Sequence, residues 1–227
     1  LLAVIESSKE TVSTIPTVTG HSLTWTQVAT QETDGGTIRR RITIFEAYPA
    51  GAGSGTMVID FGGVTQHNCL WDIIEFTGAD TTDMTVQAVP GAGNAFGTVT
   101  VTLAAFGSAS NATFGAFGIN NTTSTLTEGA GFTPVSNHAD TTADAPTRLL
   151  TEFRADNDTS VDCSISGVTA RRWVGIGVEL KAAVSGNATA SPATVAAIAA
   201  APAATGRGAG VGSPGTVAAI GAVPVVT

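Results

Sequence analysis

Charged side chains are scarce in this chain, at 12% of 227 residues, with 10 Lys and Arg against 18 Asp and Glu for a net of −8. Phosphate-backbone binding draws on a basic patch that releases counterions, so nucleic acid is excluded as a partner. The one basic run, Arg39-Arg40-Arg41, reads as a solvated strand edge, where charge discourages pairing with other chains, rather than as a ligand clamp. Histidine and cysteine are also sparse, at 3 and 2. His67 and Cys69 stand two apart without a second pair of ligands, which falls short of a zinc site, so neither a metal nor a cofactor is expected. Cys69 and Cys163 fall in separate strand-like segments. A disulfide needs their α-carbons within about 7 Å; a pair is open in an oxidising compartment, and two lone buried thiols are the commoner outcome for a protein assembled in cytosol. No apolar run approaches the roughly 18 residues of a membrane span, so membrane insertion is not expected. Leu1-Leu2-Ala3-Val4-Ile5 is too short for a signal segment and runs into Glu6 and Lys9. Long helical periodicity is missing too.

What is there is strand chemistry. The stretch Arg39–Phe76 holds three apolar runs of strand length, Arg41–Tyr48, Met57–Phe61 and Leu70–Phe76, separated by glycine-rich breaks. Period two with Ile, Val, Phe, Tyr and Trp marks a pleated, half-buried surface. Leu23–Ala29 alternates strictly, putting Leu23, Trp25 and Gln27 on one face, and Thr98–Leu103 points Val99, Val101 and Leu103 inward. Leu1–Ile5, Asn111–Asn120, Arg148–Arg154, Thr159–Ile165 and Trp173–Leu180 complete the set, and Ser13–His21, with Pro16 and Gly20, reads as a connector or an edge strand. Thr77–Gly97 and Thr122–Ala145 read as long connections, because Asp, Thr, Pro and Gly dominate them. About ten strands and no convincing helix give an all-β fold, an antiparallel β-sandwich of jelly-roll type over residues 1–181.

From Ala182 the chemistry changes, and residues 182–227 contain no acidic residue and one charge, Arg207. Ser191-Pro192-Ala193-Thr194-Val195-Ala196-Ala197-Ile198 returns 22 residues later as Ser213-Pro214-Gly215-Thr216-Val217-Ala218-Ala219-Ile220, and Pro202 returns as Pro224, giving repeats over 191–205 and 213–227. Ser-Pro is a helix-start signature, with Val195 and Ile198 on one face and Pro202 as the stop. So short a helix does not stand alone in water. It either leans on a neighbouring repeat or sister chain, or the segment is a flexible linker. Val195, Ile198, Pro202, Val217, Ile220 and Pro224 are therefore the candidate assembly residues.

Catalytic patterns are weak. Asp156-Asn157-Asp158 lacks the glycine and distal glutamate of a calcium loop and reads as an Asx turn. Gly91–Phe96 fails the dinucleotide pattern. Asp72, Glu75, Glu152 and Glu179 are the carboxylates for a glycosidase pair, but alternation puts them on solvent faces or strand ends. Trp25, Trp71 and Trp173 sit inside strand patterns, which favours core packing over a sugar platform.

The runs Leu23–Val28, Arg40–Phe45, Asn68–Gly78 and Trp173–Leu180 resemble a β-sandwich domain common in structural proteins of tailed bacteriophages. The tail repeat resembles stalk segments of phage minor tail or fibre proteins. This resemblance implies a non-enzymatic virion component, assembled in the bacterial cytoplasm, partnered with itself, with a trimer favoured, and with other virion proteins. It carries over no catalytic residue, and the chain lacks an obvious adsorption tip. The alternative is a carbohydrate-binding module for host-surface glycan, with Thr77–Gly97 and Thr122–Ala145 forming its site.

Overall fold

A strand that is apolar on both faces must be covered on both. Asn68–Thr77 and Arg171–Leu180 are of this kind, and the fold covers them by stacking four β layers. A computed structural model describes residues 1–10, 14–33, 38–49, 55–120, 123–140, 146–167, 169–183 and 191–193. These residues form β1 (Leu2–Glu10), β2 (Thr17–Gly20), β3 (Thr26–Glu32), β4 (Ile38–Glu46), β5 (Met57–Asp60), β6 (Asn68–Thr77), β7 (Thr85–Ala95) and β8 (Gly97–Thr102). They continue with β9 (Ala112–Ile119), β10 (Leu126–Glu128), β11 (Thr133–Asp140), β12 (Thr147–Arg154), β13 (Ser160–Ile165), β14 (Arg171–Leu180) and β15 (Ser191–Ala193). Among the described residues there is no helix, hence none long and apolar enough to cross a membrane.

The sandwich is antiparallel throughout. One five-stranded sheet runs β15-β6-β1-β4-β3 and faces a second, β11-β12-β9-β14-β7. The pair β2-β5 covers the outside of the first, and β10-β13-β8 covers the outside of the second. Between the large sheets Leu2, Val4, Ile42, Ile44, Ile74 and Phe76 meet Phe114, Leu149, Phe153, Val174, Ile176 and Val178. Phe76 packs edge-on to Phe114, with ring centres 5.7 Å apart. Strand parity then distributes the other side chains: Phe117, Ile119, Leu150 and Trp173 face β8 and β13, while Ala3, Ile5, Phe45 and Trp71 face β2 and β5.

Several segments differ from their sequence reading. Thr77–Gly97, expected as a connection, contains the eleven-residue β7, an edge strand paired with β14. Pro90 is tolerated there because an edge strand has one side without ladder bonds. Gly93 is needed there because a Cβ would lie 2.9 Å from the Trp173 ring nitrogen. Thr122–Ala145 likewise contains β10 and β11. Strict alternation in Leu23–Ala29 breaks at a bulge between Gln27 and Ala29, so Val28 and Ala29 join the central core and Gln27 is exposed. Arg39–Arg41 is no sheet edge, since β4 lies between β1 and β3. Arg40 is buried, and Arg39 and Arg41 each approach Glu32 at 3.6 Å. Ser191-Pro192-Ala193, expected to start a helix, is extended and pairs with β6. Cys69 and Cys163 are both free thiols, and they sit in different cores on opposite sides of the sandwich.

Truncating Phe114 to Ala at the centre of the main core is expected to cost about 3–5 kcal/mol. Phe96→Ala, on a ring 59% exposed, is expected to stay within about 0.5 kcal/mol of the parent. Equilibrium urea denaturation of both variants checks this, and comparable losses from the two would contradict the layer assignment.

Candidate functional site

Burial of the central strands brings carboxylates inside. Asp72, Glu152 and Glu179, read from the sequence as solvent-face positions, are buried, and Glu6 joins them; only Glu75 is exposed. The signal was parity. Asp72 is in step with Leu70, Ile74 and Phe76, and Glu179 with Trp173, so each shares its face with core residues.

The most connected of these groups is Asp72. It reaches across from β6 to the facing sheet, where His138 Nε2 lies 2.8 Å from its Oδ1. Ser136 donates to Oδ2, and Thr151 donates to the same oxygen at 3.0 Å. Ser136 and Thr151 hydroxyls are themselves 2.8 Å apart. Asp, His and Ser are the residue types of a nucleophilic triad, but a triad places the histidine between carboxylate and hydroxyl so that it takes the hydroxyl proton. Here the carboxylate is in the middle and binds both. The arrangement holds β6 against β11 and β12, and it raises the His138 pKa through the hydrogen bond to Asp72, against the opposing effect of burial.

Glu179 is saturated too. Asn111 Nδ2 and Gln87 Nε2 donate to its two oxygens at 2.6 Å each, and Asn111 Oδ1 accepts from Ala182 N at 3.2 Å. Above this network lies an open cleft of about 630 Å³, lined among others by Asp83, Val86, Ser108, Asn111 and Lys181. Lys181 Nζ is 3.1 Å from Asp80 and 3.2 Å from Asp83, so the cationic group of the cleft is already paired.

Glu6 and Glu152 are held less completely. Glu6 Oε1 accepts from Thr147 Oγ1 at 2.5 Å while Oε2 has no hydrogen-bond partner among the described residues. Burial pushes its pKa up to about 7, with the nearby Arg40 charge opposing. Glu152 Oε2 accepts from Gly129 N at 2.9 Å and Oε1 has no hydrogen-bond partner among the described residues. Burial pushes this carboxyl up to about 8, with Asp162 and Glu128 adding to the rise. A carboxyl without enough donors avoids the cost of a buried charge by keeping its proton.

The remaining sequence candidates are dispersed. Arg154 bonds to Asp156 and, through Nη1, to Asp158 Oδ2 at 2.5 Å, while Asp158 Oδ1 accepts from Ser160 N at 2.8 Å. The acidic loop is thus neutralised by its own arginine and closed as an Asx turn. Among the described residues no three His, Cys, Asp or Glu side chains group as metal ligands. Thr77–Gly97 and Thr122–Ala145 do not converge on one site, because their strands β7 and β11 are opposite edges of the same sheet. Val195, Ile198, Pro202, Val217, Ile220 and Pro224 lie outside the described residues. Their repeat begins with β15, whose Ser191, Pro192 and Ala193 pair with Thr77, Phe76 and Glu75.

The buried acids set a pH dependence. Between pH 4.5 and the folded-state values near 7 and 8, Glu6 and Glu152 hold protons that the unfolded chain has released, so stability falls as pH rises through that window. His138, whose pKa is raised, acts in the same direction above its ordinary value of 6.5. The lowered Leu1 ammonium opposes them just below pH 8. Stability is expected to be greater at pH 5 than at pH 8 by on the order of 1–3 kcal/mol. Glu152→Gln is expected to flatten the profile. Denaturation midpoints measured across pH 5–8 check this, and a rising profile in the parent would contradict it.

Compared with known proteins, the chain matches no family model, no curated protein and no solved structure.

Proposed function

We propose that the chain is a non-enzymatic structural component of a tailed-phage particle, of minor tail, fibre or decoration type. The β-sandwich is displayed on the virion, and the repeat tail docks it or joins it to sister chains. The observation that carries this reading is the pairing of the first tail repeat with the sandwich, Ser191–Ala193 on the edge of β6. A low-complexity segment that adds a strand to a folded sheet is used for main-chain recognition, the ordinary currency of assembly by strand addition. The interior agrees with this reading. Asp72 and Glu179 are committed to bonds that hold elements together, and neither presents a reacting group to the cleft.

A glycan-binding module remains the second reading because of the polar cleft around Asn111 and Lys181. Its weakness is that no aromatic side chain lines the cleft among the described residues, since Trp173 is buried and Trp25 and Trp71 pack against the outer core.

Light scattering after size exclusion is expected to give a trimer or larger species for residues 1–227 and a monomer for a chain cut after Ala183. The protein is also expected to band with purified particles and to label on their surface. Two monomers, together with saturable glycan binding by the cut chain, would replace the assembly reading with the glycan reading.

A further inference from the structure

Among the described residues, the outer edge of β6 is paired over part of its length. β6 is ten residues long, and on that side it pairs with Ser191, Pro192 and Ala193 opposite Thr77, Phe76 and Glu75. No described strand pairs with the same side from Asn68 to Ile74. A row of outward N–H and C=O groups is a template for a further extended segment.

The segment that begins this pairing is part of a repeated pattern. Ser191–Ile198 and Ser213–Ile220 agree at every position but one, where Ala193 becomes Gly215. Eight residues nearly match the length of β6. Both copies place proline second, the position that lies opposite Phe76 in the first copy. Proline has no N–H to give, so it fits only where its nitrogen faces away from the ladder, and there it discourages yet another strand from adding outside. Each copy therefore has the features of a terminal edge strand.

One chain holds one such edge and two such segments. Ala183 N donates to Gly78 O at 2.9 Å, which pins the chain beside the end of β6 before the tail starts. Residues 184–190 are all that separate this anchor from the first copy, whereas residues 184–212 precede the second. Closure entropy grows only slowly with loop length, so a chain's own edge favours its first copy by only about 1 kcal/mol, and whichever copy does not sit there is spare.

We propose that the second repeat, Ser213–Ile220, docks as an antiparallel strand on the β6 edge of a second copy of this chain. It replaces that copy's own first repeat and ties the two chains by strand exchange. The register carries over: Ser213 lies opposite Thr77 of the second copy, Pro214 opposite Phe76 and Gly215 opposite Glu75. The 22-residue offset between repeats spans up to roughly 70 Å when extended, enough to reach a neighbour on the same particle. This inference rests on the assembly reading and names the contact through which assembly proceeds.

The test uses full-length chains under mild oxidation by oxidised glutathione. One carries Thr77→Cys and the other, with a different tag, Ser213→Cys; native Cys69 and Cys163 react poorly because burial raises both thiols. A disulfide-linked heterodimer is expected, and at least tenfold less product when Thr102→Cys, on the exposed face of β8, replaces Thr77→Cys. The pair Glu75→Cys and Gly215→Cys repeats the test one ladder step away, should the first substitution disturb folding. A chain carrying both Thr77→Cys and Ser213→Cys that closes only on itself would overturn the proposal, as would no cross-link in either pair. An assembly seen by light scattering without these cross-links would overturn the strand exchange and leave the assembly reading standing.

Discussion

Much inside this sandwich answers to one constraint: the central strands β1, β4, β9, β12 and β14 have no solvent face. An ordinary antiparallel sheet keeps a wet side, where polar members of the alternation can go. Here β2-β5 and β10-β13-β8 close those sides, so every polar residue on the central strands must be bonded internally or made neutral. Asp72 and Glu179 take the first course, each with donors on other strands. Glu6 and Glu152, each with one oxygen lacking a hydrogen-bond partner among the described residues, take the second. The polar side chains are thus the part of the core that specifies which strands face each other, since apolar contacts alone would tolerate many pairings.

The same constraint governs the small residues. β9 and β14 lie side by side with both faces covered, and their glycines leave room for what crosses above them. At Gly175 a Cβ would come within 2.7 Å of the Phe117 ring on the paired strand, so that ring lies across β14 where the atom is missing, and at Gly115 a Cβ would come within 2.7 Å of Val161 in the outer layer. Aromatic bulk and glycine are matched position by position across neighbouring strands, as Trp173 on β14 and Gly93 on β7 also illustrate.

Much of the fold was legible in the sequence. Met57–Asp60, Leu70–Phe76, Thr98–Thr102 and Trp173–Leu180 alternate or run apolar because packing acts directly on their side chains, and all lie in strands. The segments that misled are those whose inward residues are polar or missing. β11 turns Ser136 and His138 toward Asp72, so hydrophobic periodicity has nothing to record there. β7 carries Pro90, Gly91 and Gly93, which normally punctuate loops. Ser191-Pro192 opens a helix as readily as it caps a sheet edge, and only the neighbouring β6 decides. The buried carboxylates were misplaced for a related reason. Alternation says which residues share a face, but not that both faces are dry.

The strand order also bears on how the chain comes off the ribosome. β1, made first, lies between β6 and β4 in its sheet, and β14, made last of the large strands, lies between β9 and β7. All of the first sheet except β15, together with its outer pair β2-β5, is made by Thr77, whereas β7 has no strand partner among the described strands of its sheet until residues 171–180 arrive. Co-translational folding is therefore divided: the first sheet can pair early, but its inner face stays uncovered until β14 completes the second sheet, and the nascent chain must keep that apolar surface from other contacts for the whole interval.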